Sequence, residues 1–437
     1  MSVTAVSLPT RMVIATIAAV LATGLILSAA TVGAATGGAH TVRFATFNAS
    51  LNRSAAGQAL NDLSQPYDAG EADATLRGRR AQAANVAEII QRTRPDVLLI
   101  NEFDFEPNHA LAIAFQENYL SVSQNGAEPI EYPHVFIAPS NTGMPSGKDL
   151  NNNGTVGGPD DALGFGFFPG QFGMAVFSRY PIERSAVRTF QTFLWEDMPG
   201  ALLPDDPATA APNDWYAPDE LDIFRLSSKS HWDVPLRVRG TTIHFLVSHP
   251  TPPVFDGAED RNGTRNHDEI RFWADYVTPG AGAYIYDDRG IRGGLAAGAR
   301  FVIAGDQNSD PLDGDSIPGS IQQLLDNPRI NATMTPSSAG GPYWAVVQDG
   351  LNDTHRGDPA FDTADFCDTA VPPPCSGPGN LRVDYVLPSA DLPIAASGVF
   401  WPTASDPLVR LTGAGFPVPS SDHRLVWVDV RVQSGGR

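Results

Sequence analysis

The sequence predicts a fold of the α/β class whose strands pair in both directions. Apolar stretches with strand character alternate along the chain with segments whose apolar residues recur at helical spacing. Residues 234–250 are typical of two strands joined by a tight turn at Arg239 and Gly240, which requires antiparallel pairing. This hairpin argues against a purely parallel, doubly wound sheet. Mixed sheets with helices between the strands are therefore expected.

The remaining predicted strands are short and end in polar or turn residues. They cover residues 41–50, 96–104, 173–181, 300–308, 382–389 and 424–430. Helical spacing marks residues 73–95, which Pro95 ends, and residues 266–277. The 41 glycines and 37 prolines among 437 residues indicate many turns and long loops rather than a helical bundle.

The composition is that of a globular and acidic protein. Hydrophobic residues make up 42% of the chain and charged residues 18%, which is enough for a sizeable core. The formal net charge is −20. Because phosphate backbones repel such a surface, the charge argues against a dedicated nucleic-acid binder and is compatible with cation binding.

The N-terminal segment predicts export from the cytosol. Residues 12–30 carry no charge, follow Arg11 and precede small residues, with Val32 and Ala34 at a plausible cleavage site. We expect residues 1–39 to be a signal peptide. The alternative is a retained anchor, since 19 apolar residues can just span a bilayer. In either case the body of the chain is expected to be secreted or at the cell surface.

The two cysteines agree with that compartment. Cys367 and Cys375 bracket a short loop, and in an oxidising environment they are expected to form a disulfide that closes it. Two cysteines alone cannot form a zinc site of the Cys-x-x-Cys type.

Polar side chains recur at or just beyond the ends of the predicted strands. An Asn or Asp in such a place is by itself usually a turn residue. Together these residues hold carboxylates, amides and two imidazoles, which is the mixture that metal-assisted hydrolysis of a phosphate ester needs. They are Asn48, Glu102, His249, Asp306, Asn308, Asp384, Asp422 and His423.

Seven stretches in this order resemble the endonuclease/exonuclease/phosphatase superfamily. They are ATFNAS, PDVLLINEFD, FGMAVFSRYP, IHFLVSHP, VIAGDQNSDP, RVDYVLPS and SSDHRLVWVDV, and they run from residue 45 to 430. The resemblance implies a four-layer sandwich of two mixed β-sheets flanked by helices. It also implies a single domain over residues 40–432, with insertions near 140–165, 193–222 and 356–381.

The resemblance implies a role for each strand-end residue. Asn48, Glu102 and Asp422 would bind a divalent cation, and their oxygen ligands favour a hard ion such as Mg²⁺ or Mn²⁺. The expected catalytic residues then fall into three roles. His249 would contact the scissile phosphate, Asp306 and Asn308 would orient or deprotonate the attacking water, and Asp384 would fix the tautomer of His423, the second histidine on the phosphate.

The sequence also departs from the family pattern. Phe47 and Asn101 stand where tryptophan and glutamine are common, and no tyrosine lies near Gln171, where apurinic endonucleases usually carry one. Lys229 and His231 lie where family members often contact the substrate phosphate. The alternative for this pair is an ordinary strand beside a buried Trp232.

A second cation site is predicted in the loop DLNNNGTVGGPD, residues 149–160. Asp149, Asn151, Asn153, Gly154 and Asp160 fall at positions 1, 3, 5, 6 and 12 of an EF-hand-like calcium loop. Asp160 replaces the usual glutamate, and the flanks are rich in glycine and proline. The alternative is a polar surface loop without Ca²⁺.

We predict a secreted, divalent-metal-dependent phosphoesterase that hydrolyses phosphodiester bonds, with extracellular nucleic acid as the first substrate class. One alternative is a phosphatase or a phosphodiesterase acting on a phospholipid or another small molecule. A second is a calcium-ordered, non-catalytic surface-binding module, although such a module has no need of a complete hydrolytic set. No stable protein partner is implied, and a monomer is expected.

Overall fold

Two mixed β-sheets form the centre of the molecule. The computed structural model describes residues 40–367, 374–415 and 417–433. The predicted signal peptide, residues 1–39, lies outside the described residues. Within the described ranges, no helix is both long and apolar enough to cross a membrane.

The first sheet has six strands and joins the two ends of the described chain. Its spatial order is β12–β13–β1–β2–β4–β3. The strands are β1 (His40–Asn48), β2 (Val97–Asn101), β3 (His134–Phe136), β4 (Met174–Ser178), β12 (Ile394–Val399) and β13 (Val426–Val432). β1 pairs parallel with β2 and antiparallel with β13, so the direction of pairing is mixed.

The second sheet has five strands in the order β11–β8–β7–β6–β5. The strands are β5 (Arg188–Thr189), β6 (His231–Val238), β7 (Thr241–Ser248), β8 (Arg300–Asp306) and β11 (Asp384–Pro388). β6 and β7 form the predicted hairpin, and Arg239 and Gly240 of its turn have φ angles of 49° and 84°. Positive φ at both turn residues matches the right-handed twist of the paired strands. A separate pair, β9 (Ala364–Asp365) and β10 (Asn380–Leu381), lies outside both sheets.

Helices pack against both sheets. They are α1 (Gln58–Leu63), α2 (Ala74–Thr93), α3 (Ala110–Phe115), α4 (Pro218–Leu221), α5 (Arg261–Val277), α6 (Gln322–Leu325) and α7 (Gly340–Gln348). One apolar cluster joins α1, α2 and α3 to the first sheet, and a second joins α5 and α6 to the second sheet. A third cluster, which includes Phe44, Val97, Val234 and Val302, fills the space between the sheets. The predicted four-layer α/β sandwich is confirmed.

The long predicted elements are present, and the missed ones are short. Helix α2 begins after Asp73, whose carboxylate accepts hydrogen bonds from the backbone amides of Thr75 and Leu76, as an N-cap does. No clear strand pattern in the sequence predicts β3, β5 and β12, two of which have three residues or fewer. The predicted insertions near 140–165 and 193–222 hold no α-helix or strand except the four-residue α4.

Candidate active site

The eight strand-end residues predicted from the sequence lie at one rim of the two sheets. β1, β2, β7 and β8 end at this rim, because the parallel pairs β1–β2 and β7–β8 run toward it. β11 and β13 are antiparallel to β8 and β1, so they begin there. Asp384 is paired directly with Asp306 across β11 and β8.

Asp306 is the meeting point of the two sheets. Its Oδ2 accepts a hydrogen bond of 3.1 Å from Asn48 Nδ2 of the first sheet. The same oxygen lies 3.4 Å from His249 Nε2 and 3.6 Å from His423 Nε2. Its Oδ1 accepts the backbone amide of Asn308 at 2.8 Å. Burial raises the pKa of Asp306 to about 6, and the charge of His423 opposes that rise.

Gly305 allows β8 to deliver Asp306 to this place. A side chain at Gly305 would put its Cβ 2.0 Å from the carbonyl oxygen of Ser248, at the end of the neighbouring strand β7. Only glycine permits that approach. In the GDQN stretch, close packing therefore requires Gly305, and the chemistry of the site requires Asp306.

His423 lies between two carboxylates. Its Nδ1 is 2.9 Å from Asp384 Oδ2, which also accepts the hydroxyl of Thr363 at 2.9 Å. Burial lowers the pKa of His423, but the charges of Asp384 and Asp306 outweigh it and raise that pKa well above the ordinary value. The imidazolium is therefore the favoured form of His423, and its Nδ1 hydrogen-bonds to Asp384.

His249 has the opposite protonation state. Burial, together with the positive charges of Lys229 and His423, lowers its pKa well below the ordinary value. Its buried Nδ1 has no hydrogen-bond partner in the described residues. A neutral imidazole that directs Nε2–H toward Asp306 leaves the lone pair of Nδ1 available.

The donor set for a cation lies beside Asp306. Asn48 Nδ2 donates to Glu102 Oε1 at 3.0 Å, and Asp422 Oδ1 is held by the hydroxyls of Ser421 at 3.3 Å and Ser50 at 3.4 Å. Burial and then the nearby charge of Asp422 raise the pKa of Glu102. Two carboxylates that repel each other next to a carboxamide form a set of oxygen donors that fits a hard divalent cation.

A geometric search of the described residues finds one group of three or more His, Cys, Asp or Glu ligand atoms within 4.8 Å of one another. It is Asp306, Asp384 and His423. In this group Nδ1 of His423 is already hydrogen-bonded to Asp384. The Glu102 and Asp422 side of the rim offers a second set of oxygen donors for a hard cation.

The sequence decides which family the chain belongs to. The profile of the Endonuclease/Exonuclease/phosphatase family matches residues 45–423. The chain belongs to this family. Members of the family are metal-dependent phosphoric ester hydrolases, and this chain is one of them.

Solved structures are similar to the chain at low sequence identity. An endonuclease/exonuclease/phosphatase from Beutenbergia cavernae DSM 12333 is 16% identical, with 90% of this chain and 72% of that chain covered and a TM-score of 0.45. Sphingomyelinase C from Streptomyces griseocarneus is 14% identical, covering 89% and 99%, with a TM-score of 0.41. The human Nocturnin catalytic domain is 13% identical, covering 90% and 95%, with a TM-score of 0.41. No curated protein sequence matches the chain.

The structure separates the two predicted substrate contacts of this hydrolase. Lys229 lies at the site, where its charge acts on His249 and its Nζ donates a hydrogen bond to the carbonyl oxygen of Pro250 at 3.4 Å. His231 lies in the core instead, with Nδ1 2.7 Å from Ser227 Oγ and Nε2 2.9 Å from the carbonyl oxygen of Glu269. Both nitrogens of His231 are occupied and the residue has no exposed surface, so the expectation that it contacts substrate is corrected.

The predicted calcium loop is organised by its own backbone. Asp149 accepts the amides of Asn153 at 3.0 Å and Gly154 at 2.7 Å, and Asn151 and Asn153 accept amides two residues ahead. Asp160 is exposed. In the described part of the chain no α-helix flanks this loop, unlike the paired helices of an EF-hand. Calcium binding there stays a prediction.

Three residues that sequence reasoning missed support the site. Thr363 holds Asp384, and Phe366 places its ring 5.3 Å from the imidazole of His423. Both lie in the segment that the Cys367–Cys375 disulfide anchors, and the predicted disulfide is present. Glu269 of α5 accepts the backbone amides of Ser228 at 2.7 Å and Thr251 at 2.7 Å, which fixes the segments that carry Lys229 and His249. The sequence carried no signal for Thr363 or Phe366, whereas a glutamate among apolar residues of α5 could have indicated Glu269.

Proposed function

We propose that this family member is a secreted, divalent-metal-dependent phosphodiesterase. The observation that supports it most is the convergence on Asp306 of Asn48, His249 and His423, which come from three different strand ends. Such a site offers one carboxylate base, one neutral imidazole and one imidazolium within a few ångströms of each other. The assignment to secretion rests on the apolar residues 12–30 and on the disulfide.

Each side chain has a step in the proposed hydrolysis. Asp306, with its pKa raised to about 6, is close to the optimum for taking a proton from the attacking water at neutral pH. The imidazolium of His423 stabilises the negative charge that the phosphoryl group gains, and Asp384 holds that imidazole in place. The Nε2–H of neutral His249 faces the site, where it can donate a hydrogen bond to a phosphate oxygen, and Lys229 adds positive charge beside it.

Glu102, Asp422 and Asn48 are the residues that would hold the cation. When bound there, a divalent cation would polarise the phosphate and stabilise the charge that develops in hydrolysis. The proposed ion is Mg²⁺ or Mn²⁺.

Nucleic acid is the first substrate class to test, because the family that these sequence stretches resemble includes nucleases. A second candidate is a phosphodiester that is not a polymer. It is favoured by the net charge of −20 and by a largely apolar cavity that adjoins the site. A polyanion would have to approach a chain whose formal net charge is −20.

The test is hydrolysis by the purified chain lacking residues 1–39. Plasmid DNA, bis(4-nitrophenyl) phosphate, 4-nitrophenyl phosphate and a phosphocholine lipid are each assayed with Mg²⁺, Mn²⁺, Ca²⁺ or EDTA. His423→Ala should abolish the metal-dependent activity. His134→Ala is the matched control, since β3 places His134 opposite Ser178, at the far end of the sheet from the rim. Activity that survives His423→Ala, or that EDTA leaves intact, would refute the proposed mechanism.

A further inference from the structure

A cavity of about 390 Å³ opens directly beside the catalytic rim. Glu102, His249 and Lys229 form the wall that faces the site. The rest of the lining is largely apolar and aromatic, and it includes Leu150, Ala162, Phe165, Phe172, Tyr216 and Phe224. A phosphate held between His249 and Lys229 would therefore have one of its ester substituents next to an apolar space.

Loops outside the two sheets build this cavity. Leu150, Ala162 and Phe165 lie in or at the end of the irregular segment 140–165, and Tyr216 lies in the segment 193–222. Phe224 forms a buried part of the lining, and its ring is backed by the Arg265 guanidinium at 4.5 Å. Arg265 is itself fixed by hydrogen bonds to the carbonyl oxygens of Leu226 and Leu163. The lining is therefore a preformed, supported surface rather than a gap between mobile side chains.

Phe255 stands at the cavity as an exposed aromatic ring. It lines the cavity, yet 86% of its surface is open to solvent. Its φ of 68° is a backbone conformation that bulky residues rarely adopt. Asn262 of α5 holds both neighbours, by donating Nδ2–H to the carbonyl oxygen of Val254 at 2.7 Å and its backbone amide to Asp256 Oδ2 at 2.7 Å. These hydrogen bonds fix the backbone of residues 254–256 in a conformation that keeps the ring of Phe255 exposed to solvent.

We infer that the substrate is a discrete phosphodiester with one apolar arm, alkyl or aryl, and that this arm binds in the cavity under Phe255. The inference rests on the proposed function and narrows its substrate class. A volume of about 390 Å³ lies within the range of pockets that hold a small ligand, and it accommodates one such group. Burial of the arm would remove water from the exposed ring of Phe255, which gives that residue a role in specificity.

Binding is measured separately from hydrolysis. A failure of the apolar-arm inference can then be distinguished from a failure of the proposed function. Isothermal titration calorimetry with methylphosphonate, hexylphosphonate and phenylphosphonate, in the presence of Mg²⁺, reports affinity for probes that the enzyme cannot hydrolyse. We expect hexyl- or phenylphosphonate to bind about tenfold or more tightly than methylphosphonate, given the apolar area that the cavity covers. The hexyl probe tests for an alkyl arm, and the phenyl probe tests for an aryl arm.

Two variants and one control test whether the tighter binding of the apolar probes depends on the cavity. Phe255→Ala should reduce the advantage of the apolar probes by about threefold or more, because most of the aromatic surface over the arm is lost. Ala162→Phe should remove that advantage by filling the cavity. Phe167→Ala is the matched control, since Phe167 is 67% exposed and does not line this cavity. Because Phe255 is a solvent-exposed side chain, its removal leaves the core intact.

Three results would overturn the inference. Equal affinity for methyl-, hexyl- and phenylphosphonate would show that the cavity takes no apolar arm. An equal loss of affinity for the apolar probes in Phe255→Ala and Phe167→Ala would show that the loss does not arise from the cavity. A single-stranded oligothymidylate that binds more tightly than hexylphosphonate, and loses that affinity in Phe255→Ala, would assign the cavity to nucleic-acid bases. Selective binding of apolar probes without hydrolysis of any ester would support the cavity and refute the proposed function.

Discussion

His423 Nδ1 lies 2.9 Å from Asp384 Oδ2, although the two residues are 39 positions apart. The contact forms because β11 begins with Asp384 at the same rim where the chain enters β13. Its effect is to hold a buried imidazole in the charged form. The other oxygen of Asp384 is buried and has no hydrogen-bond partner in the described residues, so the carboxylate depends on His423 and Thr363.

Asp384→Asn should therefore lower kcat by roughly 10²-fold or more, because the amide gives no charge to stabilise the imidazolium and can impose the wrong tautomer. KM should change less, since Asp384 does not reach the substrate directly. Steady-state kinetics on the best phosphodiester measure both constants. Asp391→Asn is the control, because Asp391 is a partly exposed carboxylate beyond the other end of β11. Similar kcat values for the two variants would contradict a positioning role for Asp384.

Removal of the metal should abolish activity, and Glu102 should control how tightly the metal binds. EDTA is expected to stop hydrolysis and excess Mg²⁺ or Mn²⁺ to restore it. Glu102→Gln should weaken cation affinity by about tenfold or more, because a neutral amide replaces the carboxylate. Calorimetric titration with the metal alone measures the affinity without substrate. Glu117→Gln, an exposed glutamate of the helical segment Gln116–Leu120, should bind the metal as the unmodified chain does.

The core position of His231 predicts a pH dependence of stability. Burial lowers its pKa to about 3, whereas the unfolded chain binds this proton near pH 6.5. Protons therefore favour the unfolded state, and the stability from neutral His231 is lost as pH falls from about 6.5 toward 3, by at most ~1.4 kcal/mol per pH unit.

Urea unfolding of the original chain and of His231→Gln at pH 6.5 and pH 5 measures this loss. The stability difference between the two proteins should shrink by roughly 1–2 kcal/mol over that interval. Other buried groups titrate in both proteins and cancel in the comparison. A constant difference across the interval would mean that His231 is not held neutral.

The disulfide should contribute to stability and to the shape of the site. Replacement of Cys367 and Cys375 by serine should cost about 2–3 kcal/mol, since the closed loop spans a separation of eight residues. Urea unfolding measures the loss. A reducing agent should bring the original chain to the same value and leave the double variant unchanged. Hydrolysis should also slow, because Phe366, next to Cys367, packs against His423.

The sequence by itself determined the class of the fold and the identity of the rim residues. Apolar strands that end in Asn48, Glu102, His249 or Asp306, and a strand that His423 precedes, are local patterns. Polar groups at the ends of buried strands gather at a sheet edge. Helix α2 could be predicted for the same reason, since its apolar spacing and its end before Pro95 are local signals. The short strands β3, β5 and β12 could not, because their pairing depends on neighbours far along the chain.

Only the tertiary structure decided which of two similar residues reaches the site. Lys229 lies in the irregular segment just before β6, whereas His231 is the first residue of that strand. Lys229 approaches His249, while His231 is buried against Phe272 and Trp273. Thr363 and Phe366 support the site from a loop with no periodic pattern. The cavity beside His249 is likewise made by segments that meet only after folding. Long-range packing sets these contacts, and no local sequence signal encodes it.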